Sequence, residues 1–239
     1  MITAISTSCF GCETEDAAKT ISLFPCNAEI AFKTFYEYRP EFSKRLASEV
    51  SGLNAVSVRS YAPNFEYQLF CSSRRVRGDG FYWLDQLMRS MQLLGAKRFV
   101  LQGAPFGADF SAESTAATLK EIFAFCARYG AETCLENDGV SSPQIYARLK
   151  ERFPEIKYSL NLSKVRISGY PYGMFTAAMG QSVSQICLAC PDCPNAGSAA
   201  DETVNLLKNV VFSKDVILTG APVSGYDVTD LVRAVKSRF

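Results

Sequence analysis

The chain has 239 residues, of which 48% are apolar and 21% are charged, a composition typical of a globular protein with a full core. Its formal net charge is +1, so it has no overall field that would attract nucleic acid or an anionic membrane, and neither is an expected partner. Because no apolar run reaches the roughly 18 to 20 residues that span a bilayer, and no secretory signal is visible at the N-terminus, we expect a cytoplasmic protein.

Short apolar runs alternate with stretches of helical periodicity along the chain. The predicted strands are Ile2–Ser8, Ala28–Phe32, Ala55–Ser60, Arg98–Gln102, Glu132–Asp138, Lys157–Leu162, Val183–Leu188 and Asp215–Leu218. The predicted helices are Glu13–Phe24, Pro40–Ser51, Phe81–Leu94, Ser114–Tyr129, Ser142–Phe153, Tyr172–Met179, Asp201–Lys208 and Val228–Ser237.

Eight strands that alternate with eight helices require parallel βαβ units. In one domain of this length they favour a closed (β/α)8 TIM barrel over an open doubly wound sheet. We therefore predict that residues 1–239 form a single α/β barrel domain. The segment from Tyr61 to about Gly80 is longer than most connections, and we predict that it is a flap over the barrel mouth, with a plain surface loop as the alternative.

The fifth predicted strand is a short apolar segment that ends on an acid, Glu136. In α/β sheets and barrels, the carboxyl ends of the strands are where ligands bind and react. We therefore expect any small-molecule chemistry of this chain to centre on Glu136.

Polar or soft residues hold the last inward-pointing positions of six strands, where side chains face the barrel mouth. These positions are Arg59, Gln102, Glu136, Asn161, Gln185 or Cys187, and Thr219. Any barrel end meets water and needs some polar residues. A polar ring on strands that are otherwise apolar nevertheless favours a small-molecule site.

Three strand ends resemble motifs of a known family. Val100-Leu101-Gln102-Gly103 resembles a Val-Leu-His-Gly end, Cys134-Leu135-Glu136-Asn137 a Leu-Glu-Asn end, and Ser159-Leu160-Asn161 an end in Leu-Asp. The opening Ile5–Ser8 and the helix end Leu94–Lys97 also fit. In this order and spacing the chain resembles, over essentially its whole length, the xylose isomerase-like TIM barrels of the sugar-phosphate isomerase/epimerase family.

The resemblance implies a divalent metal held by a Glu, an Asp, a His and a second Glu from strands five to eight, with the two Glu residues also moving the proton beside a carbonyl. The residues at these positions are Glu136, Asn161, Cys187 (Gln185 if the register shifts by two) and Thr219. The family's substrate-facing His positions on strands three and four hold Arg59 and Gln102. The chain contains no histidine at all.

One carboxylate, one amide, one thiol and one hydroxyl form a poor cage for Mg²⁺ or Mn²⁺. Epimerisation by two bases also needs a second acid or base, which Thr219 does not supply. We therefore predict that the family's metal-dependent isomerisation is lost, that no cofactor is bound, and that the mouth binds a small sugar-like or phosphorylated ligand. Arg59 can bind a carboxylate or phosphate with two parallel hydrogen bonds, while amide and hydroxyl side chains can bind sugar hydroxyls.

Two alternatives and one question of assembly stay open. The chain could be an active sugar isomerase or epimerase that uses Glu136 with an unconventional partner. It could also be a zinc or iron–sulfur protein, because thiolates at this spacing can share such a centre. The cysteines concerned are Cys9 and Cys12 after the first strand and Cys187, Cys190 and Cys193 around the end of the seventh. Because barrels of this kind often dimerise, a homodimer is among the assemblies that the sequence allows.

Overall fold

The computed structural model describes residues 3–24, 26–60, 62–102, 111–189 and 215–219. Eight parallel strands in these ranges close into a barrel, each pairing with the next in sequence and the last with the first. The strands are β1 (Thr3–Ser6), β2 (Asn27–Ala31), β3 (Ala55–Arg59), β4 (Arg98–Leu101), β5 (Glu132–Glu136), β6 (Tyr158–Asn161), β7 (Val183–Ala189) and β8 (Asp215–Thr219). The predicted α/β barrel fold is confirmed.

Helices connect the strands as far as β7. They are α1 (Thr14–Ser22), α2 (Pro40–Glu49), α3 (Ala62–Leu69), α4 (Arg74–Leu93), α5 (Ala112–Ala127), α6 (Pro143–Arg152), α7 (Leu162–Ser168) and α8 (Tyr172–Met179). The predicted helices Asp201–Lys208 and Val228–Ser237 lie outside the described residues. Within the described ranges, no helix has the length and apolarity that crossing a bilayer requires.

The segment that precedes Phe81 is helical, so the prediction of a plain surface loop was wrong, while the flap over the barrel mouth stays a prediction. Helix α3 and the first turns of α4 occupy it, and Phe65 and Leu69 of α3 are fully buried. The two helices approach closely at Gly80, where an added Cβ would lie 3.1 Å from the Leu69 backbone nitrogen. Gly78 and Gly80 are poor helix formers, which hid the start of α4 from a pattern-based prediction.

The main apolar core lies outside the barrel, between the strands and the helices. Residues from each of strands β1 to β7 face it, among them Ile30 of β2, Val58 of β3 and Leu160 of β6, all of which are fully buried. The barrel interior is largely polar, and its buried polar side chains include Glu29, Ser57, Arg59, Glu136, Ser159 and Gln185. Buried polar groups are costly unless they are paired, so these side chains must be satisfied by one another.

Candidate ligand-binding site

Arg59, the last residue of β3, extends its side chain into the barrel, where it contacts three other strands. Its Nε lies 3.0 Å from Glu29 Oε1 on β2, and its Nη1 lies 2.6 Å from Glu136 Oε2 on β5. Its Nη2 donates to Cys187 Sγ on β7 at 3.2 Å. The Arg59 side chain is 10% exposed and both glutamate side chains are 0% exposed. The guanidinium is therefore held between two buried carboxylates.

The strand register explains why these side chains meet. Glu29 on β2 is paired in register with Ser57 on β3, and Ser57 is the inward-facing residue that precedes Arg59 on that strand. Ser57 Oγ donates a hydrogen bond to Glu29 Oε2 at 3.0 Å. Asn161 is level with Cys187 in the β6–β7 pairing. The register therefore places Cys187, rather than Gln185, at the height of the mouth on β7.

Lys164 supplies a second cation from the first turn of α7. Its Nζ lies 2.7 Å from Glu136 Oε1 and 3.2 Å from Gln102 Oε1. Gln102 Nε2 in turn donates to the Ser60 carbonyl at 2.6 Å. The Lys164 side chain is 26% exposed. Glu136 thus has a positively charged group at each of its two oxygens, and Lys164 lies on the solvent side of the network.

Two asparagines fix the start of α7 and with it the position of Lys164. Asn161 is the N-cap, and its Oδ1 accepts a hydrogen bond from the Lys164 backbone nitrogen at 3.2 Å. The fully buried Asn137 donates from Nδ2 to the Asn161 carbonyl at 3.1 Å and accepts from the Asn161 backbone nitrogen at 2.6 Å. A side-chain cap of this kind satisfies an otherwise unpaired helix donor, so the Asn161 amide has a structural partner.

Electrostatics keep Glu136 ionised. Burial raises the pKa of a carboxyl group, but the charges of Arg59 and Lys164 outweigh burial here and bring the pKa of Glu136 down to about 2. The pKa of Arg59 is raised well above its ordinary value because the attraction of Glu136 and Glu29 exceeds the effect of burial. At neutral pH Glu136 and Arg59 are therefore both charged.

Below this level the interior continues as a chain of hydrogen bonds. Gln185 is completely buried, and its Nε2 donates to Ser159 Oγ at 3.0 Å and to Cys187 Sγ at 3.5 Å. Arg98 reaches in from the amino end of β4 and donates from Nη1 to Gln185 Oε1 at 3.3 Å, while its Nε lies 2.8 Å from Glu132 Oε1. Gln185 therefore lies under the mouth rather than at it.

The cysteine groups are not brought together in the described residues. Cys9 is buried and Cys12 is exposed. Burial raises the pKa of the Cys187 thiol to about 12, so it is protonated at neutral pH. Cys190 and Cys193 lie outside the described residues. In the parts of the chain that the structure describes, no group of three or more His, Cys, Asp or Glu side chains could hold a metal ion.

The positions that match the family's metal ligands do not fit a hard divalent cation. Both Glu136 oxygens face cationic nitrogens, Asn161 Oδ1 caps α7, and Cys187 carries a protonated thiol. Thr219 is the last residue of β8 and pairs in register with Ala189. The structure describes its backbone but not its side chain. A metal needs several unprotonated oxygen or nitrogen donors, and the described members of this set do not offer them.

Sequence reasoning missed three residues of the network: Glu29, Asn137 and Lys164. Glu29 lies inside β2, two residues before its end, so a prediction based on strand ends does not include it. A charged residue within a five-residue strand was nevertheless a usable signal, because an ionised group in such a place needs a partner. Lys164 lies three residues after Asn161, which is the spacing of a side-chain cap, but the seven-residue α7 was not predicted.

No protein-family model matches the sequence, and no curated protein matches it significantly. Solved structures do match, over nearly the whole chain. A D-allulose 3-epimerase from Methylomonas sp. in complex with D-allulose has a TM-score of 0.74 at 12% identity, with 100% of this chain and 97% of that chain covered. A D-psicose 3-epimerase in the presence of D-fructose has a TM-score of 0.71 at 13% identity, with 100% and 96% covered.

A third similar structure is a xylose isomerase domain-containing protein from Salmonella typhimurium. Its TM-score is 0.69 at 14% identity, and 99% of this chain and 95% of that chain are covered. At such low identities, similarity in structure establishes the fold and leaves activity to be argued from the site itself. The chain has the xylose isomerase-like TIM-barrel fold.

Proposed function

We propose that this protein binds a small, uncharged sugar-like ligand at the carboxyl end of its barrel, without the divalent metal that the sequence resemblance implies. The observation that carries the proposal is the position of Glu136 between Arg59 and Lys164. The residue that would anchor a metal is already paired with two cations, 2.6 Å and 2.7 Å away. The role left to this mouth is recognition by hydrogen bonds.

The donors for such recognition are fixed in place. Lys164 has three N–H donors and is the partly exposed member of the network, and Gln102 and Arg59 lie beside and below it. A sugar hydroxyl or carbonyl oxygen is a suitable acceptor for such groups. Two proteins of this fold, the D-allulose and D-psicose 3-epimerases, were crystallised with D-allulose and D-fructose. Those ketoses define the ligand class to be tested first.

Charge balance favours a neutral sugar over a phosphorylated one. Glu29 and Glu136 contribute two negative charges to the described network, and Arg59 and Lys164 contribute two positive ones. An added phosphate would therefore meet cations whose charge is already neutralised nearby, whereas hydroxyl groups need only donors and acceptors.

Catalysis by Glu136 is disfavoured by its surroundings. A general base works best when its pKa is near the operating pH, and the pKa of Glu136 is about 2. An active isomerase would incorporate solvent deuterium into the C–H bond beside a ketose carbonyl. We expect none with D-fructose, D-allulose or D-tagatose, and exchange that disappears in Glu136→Gln would establish catalysis instead.

Binding can be measured by titration calorimetry or ligand-observed NMR with these three ketoses and with fructose 6-phosphate. We expect a neutral ketose to bind the wild-type chain and Lys164→Met to bind it at least about tenfold more weakly, because one charged donor is lost. Lys97→Met is the matched control, since Lys97 is exposed at the amino end of β4. Failure of every ketose to bind, or equal binding by Lys164→Met, would contradict the proposal, and tighter binding of the phosphate would contradict its charge argument.

A further inference from the structure

The space around the Arg59 guanidinium has the features of a cation site. Two carboxylates with no exposed surface, Glu29 and Glu136, approach it from β2 and β5, and the Cys187 sulfur approaches it from β7. Lys164 contacts Glu136 Oε1, the oxygen that does not face Arg59, so it balances one of the two carboxylate charges. Without Arg59, the interior would hold a buried carboxylate with no cation, which is strongly unfavourable.

We propose that Glu29, Glu136 and Cys187 form a guanidinium-binding site inside the barrel and that Arg59 is its covalently tethered occupant. The site takes an organic cation, and it should accept a free guanidinium ion when the Arg59 side chain is removed. This inference goes beyond the proposed function and does not depend on it, because it concerns the stability of the protein in the absence of sugar.

The contacts of Arg59 match a planar guanidinium better than a metal ion or an ammonium group. Three different nitrogens, Nε, Nη1 and Nη2, each reach a different strand. A guanidinium presents its donors in a fixed fork, whereas a lysine ammonium is a single point charge. A divalent metal would need oxygen ligands at roughly 2.0 to 2.6 Å on all sides, and the third partner here is a protonated thiol that is a poor ligand.

The test is chemical rescue of Arg59→Ala in the full chain. Thermal unfolding is followed with guanidinium chloride or ethylguanidinium chloride at low millimolar concentrations, far below those that denature. We expect the melting temperature of Arg59→Ala to rise by roughly 3 to 6 °C at ten times the dissociation constant, with no rise for the wild type. Sodium chloride, urea and manganese chloride at the same concentrations should not reproduce the rise.

Two control variants make the result specific. Arg89→Ala removes an arginine whose side chain is 57% exposed and which pairs with Asp85 on the surface, and guanidinium should not stabilise it. In Arg59→Ala/Glu136→Gln, the site has lost one of its two carboxylates, and guanidinium should no longer raise the melting temperature. An equal rise in Arg89→Ala, no rise in Arg59→Ala, or a larger rise with manganese would each overturn the proposal.

A conservative variant covers the case in which Arg59→Ala does not fold. Arg59→Lys keeps the positive charge but cannot reach Glu29, Glu136 and Cys187 together. We expect a lower melting temperature for Arg59→Lys than for the wild type, and a refolding yield of Arg59→Ala that increases when guanidinium is present. Wild-type stability in Arg59→Lys, or a yield that guanidinium does not change, would overturn the proposal.

Discussion

Glu136 shows how far the neighbours of a residue determine its role. Its position at the end of β5 is where a barrel places a reactive carboxylate, yet its two oxygens are paired with Arg59 and Lys164. Removal of one member of a buried ion pair leaves an uncompensated charge, which costs more than the pair itself contributes. The network is therefore sensitive to single substitutions.

Glu136→Gln should lower the free energy of unfolding by roughly 3 to 5 kcal/mol, because it leaves Arg59 and Lys164 without their shared anion. Urea denaturation of the two proteins measures the difference. Glu121→Gln serves as the control, since Glu121 is 56% exposed and its pair with Arg77 lies on the surface, where such pairs contribute about 0 to 1 kcal/mol. Equal losses in both variants would rule out a special role for the buried pair.

The same ion pair predicts a dependence of stability on pH. The folded-state pKa of Glu136 is depressed from 4.5 to about 2, so its contribution is present above pH 4.5 and is lost as the pH falls toward 2. A shift of this size corresponds to stability on the order of 3 kcal/mol. The difference in unfolding free energy between wild type and Glu136→Gln should therefore shrink through this window, and a difference that stays constant from pH 6 to pH 2.5 would contradict the assignment.

At the level of elements, two glycines in one helix have opposite surroundings. An added Cβ at Gly78 would meet nothing within 4 Å, whereas at Gly80 it would lie 3.1 Å from the Leu69 backbone nitrogen and the Gln68 Cβ. The close approach of α3 and α4 therefore depends on the missing side chain at Gly80. Gly78 makes no such contribution to packing.

Gly78→Ala should raise the free energy of unfolding by about 0.5 to 1 kcal/mol, because alanine is the better helix former. Gly80→Ala should lower it, since the helices must move apart to admit the methyl group, at a cost of roughly 1 to 3 kcal/mol. Each variant is the control for the other in thermal or urea unfolding. Stabilisation by both substitutions would mean that α3 and α4 do not pack as described.

The order of the strands was predictable from sequence because each carries an apolar run followed by a helical pattern. The mouth position of Glu136 followed from the same pattern. The partners of Glu136 could not be predicted from this pattern, because they depend on which side chains are long enough to cross the barrel interior. Arg59 reaches Glu29 and Cys187 only through the closed geometry of the barrel, and Lys164 reaches Glu136 only because Asn137 and Asn161 hold the start of α7.

Across the whole molecule, apolar and polar cores are separated. Among the described residues, the main apolar core forms the layer between strands and helices. Polar side chains extend along the barrel axis from Arg98 at the amino end to Lys164 at the mouth, and Ala4, Cys187 and Ile217 form a separate small apolar cluster. The positive charges along this axis belong to the side chains of Arg98, Arg59 and Lys164. We therefore predict that the folded state does not depend on divalent metals.

Prolonged treatment with EDTA should leave the melting temperature of the protein unchanged, and added Mn²⁺ or Mg²⁺ should not raise it. The reason is that a ligand stabilises a protein only when it binds the folded state, and the described carboxylates of the network, Glu29 and Glu136, are already paired with cations. Differential scanning fluorimetry and elemental analysis of the purified protein provide the measurements. Stoichiometric manganese, or a melting temperature that drops in EDTA, would contradict the proposal that the mouth holds no metal.

The hydrogen bond between Lys164 and Gln102 has a consequence for the rate at which the proposed sugar ligand would bind. Lys164 Nζ donates to Gln102 Oε1 at 3.2 Å, and Gln102 is itself anchored to the Ser60 carbonyl. Lys164 has three N–H donors, and among the described residues Glu136 Oε1 and Gln102 Oε1 account for two of them, so a hydroxyl group can accept from the third while both contacts stay in place. The ammonium group is therefore held in place before a ligand arrives, and a sugar that binds as proposed should associate quickly because the mouth needs little rearrangement.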